Sequence, residues 1–184
     1  MSPATWYVAR SAGVVAYVLL STSVVVGITM STRARLAWPR FAVQEIHRFL
    51  AILTAVFLLL HGAALLLDRV VPLSLLQAIV PFTNTYRPFA VGLGVTAMLL
   101  LAAVGLTNAV RARLPYTVWR RVHYATFAVW LLSTAHALLA GTDRHDIWFL
   151  GVLALTVGTV SVALVARFFP ADGEAETGAA RIVG

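Results

Sequence analysis

The sequence predicts an all-α integral membrane protein, a bundle of five transmembrane helices. Two observations carry this. The 184 residues are 60% hydrophobic and only 11% charged, whereas soluble domains carry about 25% charged residues. The apolar residues also gather into five runs, each near the ~20 residues that cross a bilayer core. A third observation, the placement of arginine, orients the bundle.

The first run, Ser11 to Met30, reads as a retained helix and not as a cleaved signal peptide. No basic segment precedes it, its apolar stretch is too long, and no small-x-small site follows before the arginines. The second run covers Phe41 to Leu67. After it comes a long connection, Asp68 to Arg87, which holds an apolar stretch, Leu73 to Val80, between Pro72 and Pro81. That stretch is too short to span and is expected to lie on the membrane surface, as a lid over whatever sits beneath. The third run is Phe89 to Val110, the fourth Val118 to Ala140 and the fifth Ile147 to Phe169. Residues 1–169 therefore form one transmembrane unit, and the Gly/Ala-rich tail 170–184 is expected to be a disordered polar segment.

All fourteen basic residues are arginine, and the net charge is +7. These arginines cluster in short loops beside apolar runs, which is a topology signal and not a nucleic-acid footprint. Arg33, Arg35 and Arg40 lie between the first two spans, and Arg111, Arg113, Arg120 and Arg121 around the junction of the third and fourth. The other two loops are poorer in arginine. The arginine-rich side is expected to be cytoplasmic, with the N-terminus outside and the C-terminus inside a cytoplasmic membrane. Arg10 is a minor exception. There is no cysteine, so thiolate metal sites, iron–sulfur clusters and covalent heme attachment are excluded.

Four of the five histidines fall inside predicted spans: His47 and His61 on the second, His123 and His136 on the fourth. Ionisable groups in the hydrocarbon are rare and mark functional sites. A single such histidine is most often an interhelical hydrogen bond, but four, paired on two helices, are not. Fourteen residues between His47 and His61 amount to about 21 Å of helix rise, and thirteen between His123 and His136 to about 19.5 Å. One span intervenes, so both helices run the same way. His47 is then level with His123 and His61 with His136, one pair near each side of a ~30 Å core.

Two imidazoles at each of two depths suit few chemistries. Zinc wants three or four ligands, and no third is available. No acidic residue lies deep enough to complete a nonheme iron site. Heme iron needs only two axial ligands beyond its porphyrin, and histidine supplies them. The expectation is two noncovalent b-type hemes, one on His47 and His123 near the inner face and one on His61 and His136 near the outer. A thirteen-residue step turns about 140° around a helix, against about 40° for fourteen, so the fourth span must accommodate its two imidazoles differently from the second.

Each ligating histidine needs an acceptor for its other ring nitrogen. Helical geometry suggests the carbonyl four residues back, at Val43, Phe57, Trp119 and Leu132. Anionic heme propionates need cations: Arg48, Arg120 and Arg121 are candidates at the inner site, Arg10 and Arg87 at the outer. Gly62, beside His61, offers room for a porphyrin or for ordinary helix packing. His145 belongs to a loop and reads as solvated.

This four-histidine pattern resembles the ferric reductase-like transmembrane domain, the family of ferric reductases, NADPH oxidases and the heme-bearing membrane subunit of bacterial methionine sulfoxide reductase. The likeness extends over about residues 6 to 169. Arg10-Ser11-Ala12-Gly13 and the Pro81-Phe82…Tyr86-Arg87-Pro88 stretch are similar to short actinobacterial members. The resemblance implies electron transfer across the membrane through two hemes, outward from a cytoplasmic flavin to an acceptor outside. Many relatives have six helices followed by flavin and nicotinamide domains. This chain has five predicted spans and no Gly-rich dinucleotide fingerprint.

The expected function is thus a di-heme cytochrome b, the electron-transferring membrane module of a ferric reductase-like oxidoreductase. Its donor would be a separate flavoprotein or a quinol, and its surroundings membrane lipid. Two other readings are a quinone-linked heme anchor for a separate oxidoreductase, and a non-redox small transporter or assembly factor with structural histidines.

Overall fold

The computed structural model describes residues 3–32, 38–68 and 73–169. Arg33, Arg35, Arg69, Pro72 and the tail 170–184 fall outside the described residues. Among the described residues there is no strand. The elements in order are α1 (Pro3–Ser31), α2 (Arg40–Leu66), the short α3 (Leu75–Ile79), α4 (Pro88–Ala109), a 3-10 turn (Arg111–Arg113), α5 (Tyr116–Ala140) and α6 (Ile147–Phe168). The five longer helices are each long and apolar enough to cross a membrane. They correspond to the five predicted spans, with one substantial change of boundary: α1 begins eight residues earlier than its apolar run.

That extension carries Arg10, and a partner explains it. The Arg10 guanidinium pairs with the buried carboxylate of Asp143 in the α5–α6 connection. It also lies 4.9 Å from the Trp6 ring centre and 5.3 Å from that of Trp148. Two aromatic faces and a carboxylate satisfy a charge that would otherwise halt an apolar helix.

α1 is the centre of the bundle. It packs closely on α2, on α6 and on α5, while α4 packs on α5 and carries α3. Tyr17, Leu20, Val24 and Ile28 of α1 meet Ala97 of α4, Val129 and Trp130 of α5, and Leu153 and Val160 of α6 in one buried cluster. Apolar contact alone gives little drive for association in lipid, so interhelical hydrogen bonds and close small-residue packing matter more. Here the Trp130 indole donates to Ser21 Oγ at 3.0 Å. Ser21 in turn donates to the Tyr17 carbonyl at 2.8 Å. The Tyr17 hydroxyl lies 3.1 Å from Thr134 Oγ1 and accepts from Thr156 at 3.2 Å. This network joins α1, α5 and α6.

The predicted surface stretch 73–80 contains the five-residue α3 and packs on α4. Ser74 caps it by accepting from the Gln77 amide, while the Gln77 side chain accepts from Ser74 N–H, a reciprocal capping box. Leu75, Leu76 and Ile79 are exposed.

Candidate functional site

α2 and α5 are not among the closely packed helix pairs. Each buries only two side chains, Thr54 and Ala64 on α2, Val129 and Trp130 on α5. Across the space between them the four histidines meet as two couples. The ring centres of His47 and His123 lie 6.2 Å apart with planes crossed at 66°. Those of His61 and His136 lie 6.4 Å apart with planes crossed at 81°. The sequence-derived pairing is therefore the one the fold brings together.

The hydrogen bonds of these rings differ from expectation. The acceptors are not the carbonyls four residues back at Val43, Phe57 or Leu132, and Trp119 serves no better. In a regular helix those carbonyls point along the axis, while three of the four imidazoles reach sideways to a neighbouring helix. His47 Nδ1 donates to the Ser23 carbonyl of α1 at 3.0 Å and lies 3.2 Å from Ser23 Oγ. His61 Nδ1 donates to the Ala9 carbonyl of α1 at 2.7 Å. His136 Nδ1 donates to the Ala90 carbonyl of α4 at 2.8 Å. A carbonyl can only accept, so in these three rings Nδ1 carries the hydrogen and Nε2 keeps its lone pair. His123 is the exception: its buried Nδ1 has no hydrogen-bond partner, and neither does Trp119 Nε1. The two rings stack, centres 5.2 Å apart and planes 24° apart.

Glycines make this sideways reach possible. A Cβ on Gly94 would sit 2.6 Å from His136 Nδ1, and one on Gly13 would sit 2.9 Å from His61 Nδ1. A Cβ on Gly27 would lie 3.2 Å from the His47 ring. A Cβ on Gly62, by contrast, would meet nothing within 4 Å, so that glycine borders open space.

The arginines named from the sequence divide into two groups. Arg10 is engaged with Asp143 and two tryptophans, as above. Arg87 donates to the Leu139 carbonyl at 2.8 Å and lies 5.4 Å from the Tyr86 ring centre. It does so from a left-handed backbone conformation, φ 44°, just before Pro88 opens α4. Arg48, Arg120 and Arg121 are exposed. Arg48 lies 3.8 Å from Glu45, and Arg120 donates to the Tyr124 hydroxyl at 3.0 Å. His145 is exposed in the α5–α6 connection and accepts from Arg144 Nε at 3.1 Å. Among the described residues no group of three or more His, Asp or Glu gathers as a metal cage. Each imidazole couple thus offers two protein nitrogens, and the chemistry open to it is that of a centre needing two.

Residues 4–143 match a family described as a domain of unknown function, DUF8596. No curated protein and no solved structure matches the chain.

Proposed function

The chain belongs to the DUF8596 family, and from that starting point, which brings no activity with it, we propose that it is a di-heme b-type cytochrome that passes electrons across the membrane. The observation that carries the reading is the pair of imidazole couples bridging α2 and α5, with ring centres 6.2 and 6.4 Å apart. Two imidazoles on opposite sides of one metal, each with a nitrogen about 2 Å from it and a ring centre roughly 1.2 Å beyond, hold their centres about 6.4 Å apart. Crossed ring planes suit this, because rotation about a nitrogen–metal bond leaves the bond unchanged.

Further features favour the group. Three Nδ1–H bonds to carbonyls leave Nε2 as the free ligand nitrogen. The two helices that carry the histidines pack closely on other neighbours and not on each other, so the imidazole couples and not helix packing bridge α2 and α5. When bound, heme iron supplies one-electron exchange between ferric and ferrous states.

The chain's own part is to hold, space and insulate. α1 fixes both imidazoles of α2 through backbone carbonyls, and α4 fixes His136. Fourteen residues of α2 set the two couples about 21 Å apart along the membrane normal. The apolar helices keep water away from the path between them. Arg48, Arg120 and Arg121 are exposed at the end of the bundle that carries His47 and His123. They are the cations that would meet propionates there, Arg48 and Arg120 sharing with their exposed partners Glu45 and Tyr124. Arg10 and Arg87 already serve protein groups and would have to share. The arginine-rich end of the bundle faces the cytoplasm in this reading, and a separate flavoprotein or quinol delivers electrons to it.

The test is a reduced-minus-oxidised spectrum of the purified protein with hemes counted as their pyridine complexes. Two b hemes per chain are expected, and each single His→Ala change at the four positions removes about one. Protein that takes up no heme when supplied with it would contradict the reading.

A further inference from the structure

Three of the four imidazoles share one local device. Each reaches a carbonyl on the preceding helix, and four residues after that carbonyl stands a glycine against the ring: Ala9 and Gly13 for His61, Ser23 and Gly27 for His47, Ala90 and Gly94 for His136. The spacing has a reason. A helical carbonyl at one position accepts the amide of the residue four on, so the side chain of that residue would stand over the carbonyl's free lone pair. Glycine removes the side chain and lets a second donor approach. On α1 the two devices are fourteen residues apart, the same step as between His47 and His61, so the antiparallel pair repeats its contact at both depths.

α4 and α5 do not repeat theirs. The step from His136 back to His123 is thirteen residues, and the same step along α4 leads from Ala90 and Gly94 to Ala103 and Thr107. A threonine stands where the device has glycine. Its hydroxyl donates to the Ala103 carbonyl at 3.0 Å and to the Val104 carbonyl at 2.9 Å. His123 Nδ1 is left without an acceptor, and its ring stacks on Trp119 instead. The thirteen-residue step of α5 thus goes with one hydrogen bond fewer than the fourteen-residue step of α2.

We propose that this missing carbonyl makes the two centres unequal, so that the His47–His123 centre has the more positive reduction potential. The inference rests on the di-heme reading. A hydrogen bond from Nδ1–H to a carbonyl makes Nε2 a stronger electron donor, and a stronger donor favours the ferric state. The His61–His136 centre has two such bonds and the His47–His123 centre has one. Gly13, Gly27 and Gly94 are positioning residues, acting on the metal only through the imidazoles they admit.

A potentiometric titration of the heme-loaded full chain, followed optically, tests this. Two resolved one-electron steps are expected, and the upper one is absent in His123→Ala. Gly94→Ala and Gly13→Ala raise the lower midpoint and leave the upper one in place. Gly27→Ala raises the upper midpoint, and by less, because its Cβ would intrude least on its ring. Coincident midpoints, loss of the lower step in His123→Ala, or glycine variants that load heme and leave both midpoints unmoved would overturn the inference while the heme assignment stood. A chain without a Soret band would instead remove the reading beneath it, and the spectrum alone separates that case.

Discussion

His61 and His136 face each other at 6.4 Å between ring centres although their helices do not pack closely on one another. What aligns them is a pair of intermediaries: α1 grips His61 at Ala9 and α4 grips His136 at Ala90. The arrangement predicts which histidines act together. His61→Ala combined with His136→Ala should cost no more heme than either change alone, because both strike one centre. His47→Ala combined with His136→Ala should abolish heme binding altogether. Counting hemes in the two double variants checks the pairing, and equal losses would refute it.

The ion pair of Arg10 with Asp143 ties the start of α1 to the α5–α6 connection. Removing Arg10 leaves a buried carboxylate without its cation, a loss on the order of 3 kcal/mol that the partial exposure of Arg10 reduces somewhat. Arg10→Ala should therefore lower thermal stability clearly, and Arg10→Ala with Asp143→Ala should lower it by less than the two single changes added together. A thermal shift series in detergent measures the coupling. Additive effects would mean that the pair contributes nothing.

Trp130 donates to Ser21, the hydrogen bond that joins α5 to α1 inside the core. Interhelical bonds of this kind contribute about 0.6 kcal/mol in membrane bundles. A double-mutant cycle of Trp130→Phe and Ser21→Ala should return a coupling of about that size, read from unfolding in mixed micelles.

Topology has an unusually clean test because the chain has no cysteine. With the arginine-rich end in the cytoplasm, His145→Cys should react with an impermeant thiol reagent on intact cells. Arg40→Cys should react only after permeabilisation. The reverse pattern would invert the bundle.

The five long helices were legible from hydropathy alone, since each carries large apolar side chains on its exposed face as well as on its packed one. The early start of α1 was not, because Arg10 looks like the end of an apolar run until Asp143, Trp6 and Trp148 are seen beside it. The pairing of His47 with His123 and His61 with His136 followed from the rise per residue of a single helix and from the one span that intervenes between the two, both readable along the chain. Their hydrogen-bond acceptors did not, because Ser23, Ala9 and Ala90 lie on other helices and no local rule points to them. One trace was available: Gly13 and Gly27 are spaced as His47 and His61 are, and Gly94 has no glycine partner at Thr107. Arg87 was likewise legible as a cation at that end of the bundle, but its use of the Leu139 carbonyl depends on a backbone turn that only the fold reveals.

The di-heme cytochrome requires iron between the imidazoles of each couple. A diffraction map of the heme-loaded protein recorded at the iron absorption edge tests it most directly. Two anomalous peaks are predicted, one within bonding distance of Nε2 of both His47 and His123 and one likewise between His61 and His136, about 21 Å apart along α2. A loaded crystal with iron elsewhere, or with neither couple occupied, would contradict it.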